Sequence, residues 1–335
     1  MKVNEYKIIK ECLPKGRTVY RYRPDAYAAY LLSKALKTPQ RVKDLKNSNY
    51  ASLLRKPIIK NQLKNCRDGK VSAEDFNLLP DKEDFFFLLS IGCWGEGLNQ
   101  AYSQTSRSGV NLVLRLDFSN QHDAQYKKFF KLDDRDNFEF SQHPISDNRF
   151  TLAWARLDID LDKGEVLIEE IQNDWLRYAK ECEEDAQEQL NDGEGSDEGL
   201  LSETVEHDFN KLFEYRKKVL TPYHKLWEEA MMSATLHFIY EELGIHDIYM
   251  HTPESGAAYK NFPRGYSQPP ASIYRDLPRK FCFNKSHQRP HFLELYSRLN
   301  QLETHPYFKK RKNKLKSYID REYKLSTLPM QRLSL

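Results

Sequence analysis

The chain has 335 residues, a net charge of +3 and a hydrophobic fraction of 39%, with 20 tyrosines and 18 phenylalanines. So much apolar and aromatic material suits a folded core and excludes an intrinsically disordered chain. No apolar run approaches the roughly 20 residues of a membrane-spanning helix, so no membrane partner is expected, and five scattered cysteines without a CxxC pair fit a reducing, cytoplasmic setting rather than a zinc cluster.

In chain order, TVYRYRP (Thr18–Pro24) alternates and is rich in tyrosine, which predicts a strand ended by Pro24. Asp25 is placed to N-cap a helix over DAYAAYLLSKAL. A less regular helical region covers 42–64, and DGK (Asp68–Lys70) is a turn. DKEDFFFLLSIG sets acids ahead of an apolar run, predicting a buried helix. VNLVLRLDF (Val110–Phe118) and FTLAWARLDID (Phe150–Asp160) alternate as strands, and DLDKG turns the second into EVLIEEI, predicting a hairpin.

Twelve acidic residues and no lysine or arginine fall between Glu181 and Asp208, which reads as a solvated acidic loop over 181–208. Thr221 and Pro222 supply the N-cap and first position of a helix, YHKLWEEAMMSATLHFIYEEL. Its Trp227, Ala230, Met231, Ala234 and Phe238 share one stripe, and Gly244 stops it. DIYMHT is a strand, SIYRDLP a short helix and KFCFNKS a strand. Basic residues gather in FKKRKNKLKSYIDREYK near the end, a candidate surface for nucleic acid or for a host or phage protein.

This order predicts an α+β fold with a GNAT-like central mixed sheet: an antiparallel meander, a crossover helix and C-terminal helix–strand elements. Residues 1–149 contribute helices and strands to the same sheet, 150–300 form the core, and 301–335 are a basic tail. The likeness is to the element order of GNAT-type acetyltransferases, and order alone does not give function.

A closer resemblance lies in the residues themselves. LAWARLDIDLDKGEVLIEEIQNDW, then GIHDIYMHTPESGAAY, then SIYRDLPRKF resemble a domain of the large polyvalent proteins of phages and conjugative elements, which carries a strand ending in Glu-Ile-Gln-Ser-Asp-Trp. The matching positions are Trp154, Arg156, Glu169, Glu170, Gln172, Asp174, Trp175, Trp227, Thr252, Glu254, Tyr259, Tyr274 and Pro278. Asn173 replaces the family's serine, Pro253 replaces its glycine, and Tyr259 stands one residue early. The resemblance spans roughly residues 150–285. It implies a role in the conflict between mobile elements and their hosts, without a settled reaction.

Strand alternation places Glu169, Ile171 and Asn173 on one face of EVLIEEIQND, and Ile168, Glu170, Gln172 and Asp174 on the other. A partly desolvated carboxylate at a strand end has a raised pKa and suits a general base; Glu170 is the first candidate and Asp174 the second. His251 and Glu254 are expected across a cleft from Glu170, and Glu169, Gln172, Trp175, Thr252, Tyr259 and Tyr274 are expected to line the substrate, Trp175 at the rim. Acetyl-CoA is the cofactor of the GNAT analogy, but the segment VLTPYHKLW has none of the glycines that cradle its pyrophosphate. In HQRPH, Pro290 spoils helical presentation of His287 and His291, and no metal is expected.

Two other functions fit parts of the chain. VYRYRP, YSQTSRSG (Tyr102–Gly109) and EVLIEEI follow the Arg, Ser/Thr, Glu order of ADP-ribosyltransferases. A non-catalytic nucleic-acid- or protein-binding module would use QTSRSG and the basic C-terminal segment for phosphate contacts, with EEIQNDW as scaffold.

Overall fold

The structure, a computed structural model, describes residues 1–66, 68–77, 84–95, 104–130, 138–192, 209–260, 270–304 and 312–335. Eight strands form one mixed sheet: β1 (Thr18–Tyr22), β4 (Phe85–Trp94), β5 (Asn111–Phe118), β6 (Thr151–Asp160), β7 (Glu165–Gln172), β8 (Asp247–His251), β9 (Asn284–Ser286) and β10 (Met330–Ser334). Two short strands, β2 (Gln40–Arg41) and β3 (Lys70–Val71), pair separately. The large sheet runs β1-β4-β5-β6-β7-β8-β10-β9. Only β7 and β8 are parallel; the other pairs are antiparallel.

The α+β class, the meander and the crossover are therefore present. The turn at Gly164 (φ 65°) closes the β6–β7 hairpin. The crossover helix Thr221–His237 packs on β5, β6 and β7 and buries Ala230, Met231 and Ala234, with Trp227 half-buried against the same core and Phe238 buried just beyond. Gly244 ends that helical segment at φ 64°. The N-terminal third supplies β1, β4 and β5 to the same sheet.

Several local expectations are corrected. Phe85–Trp94 is a strand rather than a helix, hydrogen-bonded to β1 on one side and β5 on the other; an uninterrupted apolar run carries no period to separate the two forms. Asp25 does not cap its helix: it lies at φ 64° with no side-chain cap bond, and its carboxylate instead pairs with Lys56 at 2.7 Å.

Glu181–Asp192 is not loop but the last two thirds of helix Trp175–Asp192, which buries Cys182 and Ala186; 193–208 lie outside the described residues. Thr221 is not the N-cap of a newly starting helix, because a helical segment already precedes it. Helix runs from Phe209 through a π-turn at Arg216–Leu220, where Pro222 has no N–H to give the preceding turn and the Thr221 hydroxyl bonds the carbonyls of Arg216 and Lys217. KFCFNKS is extended only over β9, after a turn at Cys282 (φ 64°).

The basic C-terminal segment is folded as well. Helix Lys312–Thr327 packs on helix Leu295–Thr304, with Glu322 accepting two bonds from the Arg298 guanidinium at 3.0 and 2.9 Å. β10 then inserts between β8 and β9.

Candidate functional site

A β-bulge sets the geometry of EEIQNDW. Across the hairpin Leu157 faces Ile168, but the next residue, Arg156, faces Glu170, leaving Glu169 as the extra residue. The alternation expected from the sequence therefore breaks. Ile168 and Ile171 share the main core with Val166, and both Glu169 and Glu170 turn to the opposite side. Pairing of β7 with β8 also stops at Ile168 and Met250. Where these strands part, polar side chains fill the gap.

Glu169 is fully buried. One carboxylate oxygen accepts from the Ser106 backbone N–H at 2.9 Å, the other from the Ser106 hydroxyl at 2.8 Å. His251 Nε2 lies 2.7 Å from that hydroxyl and 3.3 Å from Glu169, while its Nδ1 is 3.3 Å from Ser255 Oγ. Glu170 is bound by Arg156 and, at 3.2 Å, by the Lys260 ammonium. Lys260 also reaches the Tyr274 hydroxyl at 3.3 Å, and Tyr274 donates to the Glu169 carbonyl at 3.3 Å.

Burial by itself would raise both carboxyl groups. For Glu169 the His251 contact, with Lys260 and Arg156, outweighs it, and for Glu170 the charges of Lys260 and Arg156 do so; both are pulled down to about 2. The raised pKa expected for Glu170 is thus overturned: a carboxylate held between two cations stays ionised and is a weak proton acceptor. Lys260 is itself lowered by burial despite Glu170. Charges this well matched, on side chains this deeply buried, make a clamp between the Ser106 loop, two strands and the segment after β8.

The other sequence candidates are dispersed. Trp175 is fully buried rather than at a cleft rim; its Nε1–H donates to Tyr215 at 2.9 Å inside a cluster with Phe118, Phe138 and Phe150. Thr252 caps helix Pro253–Tyr259, accepting from Ser255 N–H at 3.1 Å. Glu254 is exposed on that helix's first turn, so it does not face Glu170 as expected. Tyr259 lies in a small second core with Leu167 and Tyr249, its hydroxyl bonded by Arg289 at 3.1 Å. Gln172 pairs across the hairpin with Trp154, and its Oε1 has no hydrogen-bond partner among the described residues.

The ADP-ribosyltransferase order is only partly assembled. Ser106 does meet Glu169, but Arg21 and Arg23 bind Asp84 beside β1, four strand spacings from β7, roughly 19 Å away. His291 pairs with Glu294 at 3.2 Å. The backbone N–H groups around Thr221 lie within a continuing helix, so this segment presents no free helix N-terminus to a coenzyme A pyrophosphate.

One group that sequence reasoning missed completes the picture. Asp174 Oδ2 accepts from His143 Nδ1 at 2.8 Å and from the Trp154 indole at 3.1 Å, and Arg177 donates to Oδ1 at 2.9 Å. Asp174 is buried at 4% side-chain exposure, whereas His143 keeps 23%. A carboxylate on Nδ1 fixes the tautomer with its lone pair on Nε2, and Nε2 has no hydrogen-bond partner among the described residues. The rings of Phe140 and Trp154 flank the imidazole at 4.7 and 5.5 Å. This is a base-and-orienter arrangement. Asp174 was legible as a candidate; His143, in the aperiodic loop SQHPIS, carried no spacing signal. Comparison with protein-family models, with curated proteins and with solved structures finds no match to this chain.

Proposed function

We propose that this chain is a GNAT-like group-transfer enzyme in which His143, oriented by Asp174, acts as the general base. Nε2 takes the proton of an acceptor hydroxyl or amine as that group attacks the acyl carbonyl of the donor; the bond from that carbonyl to the donor's thiolate or phosphate breaks, the imidazolium returns the proton to the departing group, and Asp174 stabilises the imidazolium meanwhile without accepting the proton itself. The observation that carries this reading is the asymmetry of the imidazole: one nitrogen on a buried carboxylate, the other open. The sheet and crossover order support acyl transfer by analogy, and the likeness of EEIQNDW to the polyvalent-protein domain supports a target in the contest between phage or other mobile element and host. Glu169, Glu170, Arg156, His251 and Lys260 form the scaffold in this scheme, and coenzyme A is not held in the usual way at Thr221.

The test uses radiolabelled acetyl phosphate and acetyl-CoA as donors, with host and phage lysate proteins as acceptors. Wild-type protein is expected to transfer label, and His143→Gln to lose about 10²–10⁴-fold of that rate. Asp174→Asn should fall with it. Full transfer by His143→Gln would remove the imidazole from the mechanism.

A further inference from the structure

A second feature lies on the other half of the sheet. β1 pairs with β4 only from Phe85 to Leu89, while β4 runs on to Trp94. Ahead of the start of β1 at Thr18, a groove of about 750 Å³ opens between the Val3–Cys12 helix, the turn after it and the Ser90–Ile91 segment. Five cationic side chains line it, Lys7, Lys10, Lys15, Arg17 and Arg115, against two acidic ones, Glu11 and Asp147. Arg17 is already engaged by Asp117 and Ser146, and Arg115 by the carbonyls of Ile91 and Ile145. Gly92 has room for that guanidinium only because it lacks a Cβ, which would stand 2.1 Å from Arg115 Nη2. The three lysines are exposed and have no ion-pair partner among the described residues.

Pro14, Gly16, Ser90 and Ile91 also line a narrower slot of about 160 Å³ that adjoins the groove at the edge of β4 beyond β1. Its walls are largely apolar, with Leu13, Val19 and Leu89 toward the opening and the buried Leu114 and Phe238 at depth. A slot that reaches the core suits a ligand with one apolar terminus and not a polymer passing through. A basic mouth with an excess of positive charge suits a head group bearing more than one negative charge, as a phosphate monoester does at neutral pH. Lysines bind such a group as point charges.

We infer that this groove and slot form a binding site for a phosphate monoester carrying a short apolar chain, its phosphate held by Lys7, Lys10 and Lys15 and its chain lodged against Leu89, Leu114 and Phe238. The inference goes beyond the His143 scheme and is independent of it, because binding is read without turnover. The probe is octyl phosphate, measured by titration calorimetry on the full chain, with inorganic phosphate and octanol as separate controls. Saturable binding is expected, with each control about tenfold weaker or worse.

The triple variant Lys7→Gln/Lys10→Gln/Lys15→Gln should weaken octyl phosphate about tenfold while leaving the melting temperature in place, since all three lysines are exposed. Val19→Trp, at the exposed mouth of the slot, should reduce octyl phosphate to the affinity of inorganic phosphate. His143→Gln should bind as the wild type does. Absence of saturable binding at millimolar octyl phosphate would overturn the inference. So would undiminished binding by the lysine variant, or lysine-dependent binding of a short single-stranded DNA that is tighter than that of octyl phosphate.

Discussion

Two polar clusters lie at the EEIQNDW segment, and they differ in what surrounds them rather than in what they contain. The Glu169–Glu170 cluster has carboxylates, a histidine, a serine and a lysine within hydrogen-bond reach of one another, yet every one of those side chains is buried and satisfied. The Asp174–His143 pair has fewer groups, but one nitrogen remains open and the ring is part-exposed. Reactive residue types are common to both. Chemistry requires, in addition, an unspent lone pair and a way in. Matched ion pairs in a dry interior hold a fold together, whereas an oriented base at the edge of solvent can turn over.

The sharpest way to break this contrast is Glu170→Ala, which strands Arg156 and Lys260. Removing one member of a buried ion-paired set costs about 3–5 kcal/mol, and a denaturant titration should show a midpoint shift of that order. A near-neutral Glu170→Ala would mean that the cluster is not the clamp described.

Acid gives the second test. Both glutamates titrate near 4.5 when unfolded and about 2 when folded, so between those values the unfolded chain binds more protons. Their contribution is full above pH 4.5 and is lost as the pH falls through that window to about 2. Thermal melts across it should fall steeply for wild type and less steeply for Glu169→Gln, whose amide cannot titrate.

The smallest effect is expected at the other cluster. His143→Gln should change stability by no more than about 0.5 kcal/mol, because the ring is part-exposed and its Nε2 bonds nothing among the described residues. A loss as large as that of Glu170→Ala would make His143 structural and erase the distinction.

Much of the fold was legible where local chemistry decides it. The β6–β7 hairpin, the stripe of the Thr221–His237 helix and the strand after Gly244 each follow from a period and a turn residue. The apolar run of β4 has neither, and its form depends on neighbours far away in sequence. In the Trp175–Asp192 helix the signal was present but masked: Leu176, Ala179, Cys182 and Ala186 recur every three or four residues and are all buried, beneath an acidic composition that reads as loop. The bulge at Glu169 carries no glycine or other local mark, so which carboxylates share a face could not be deduced from alternation. Asp174 could be nominated from its motif, but its partner comes from a loop in a different part of the chain, and only folding brings His143 to it.

The placement of β10 has a consequence for how the molecule acquires its structure. The meander from β4 to β7 consists of successive neighbours, so its contacts can form early, as local pairings do. β8 can dock beside β7 once the crossover helix is made, but its other edge must wait for Met330–Ser334, which pair with Asp247–His251. Until then β8 presents unpaired N–H and C=O groups, a template for misplaced pairing between chains. Refolding should therefore proceed in two stages, with the β8–β10–β9 half locking last. Aggregation during that process should depend on how quickly the final strand finds its slot.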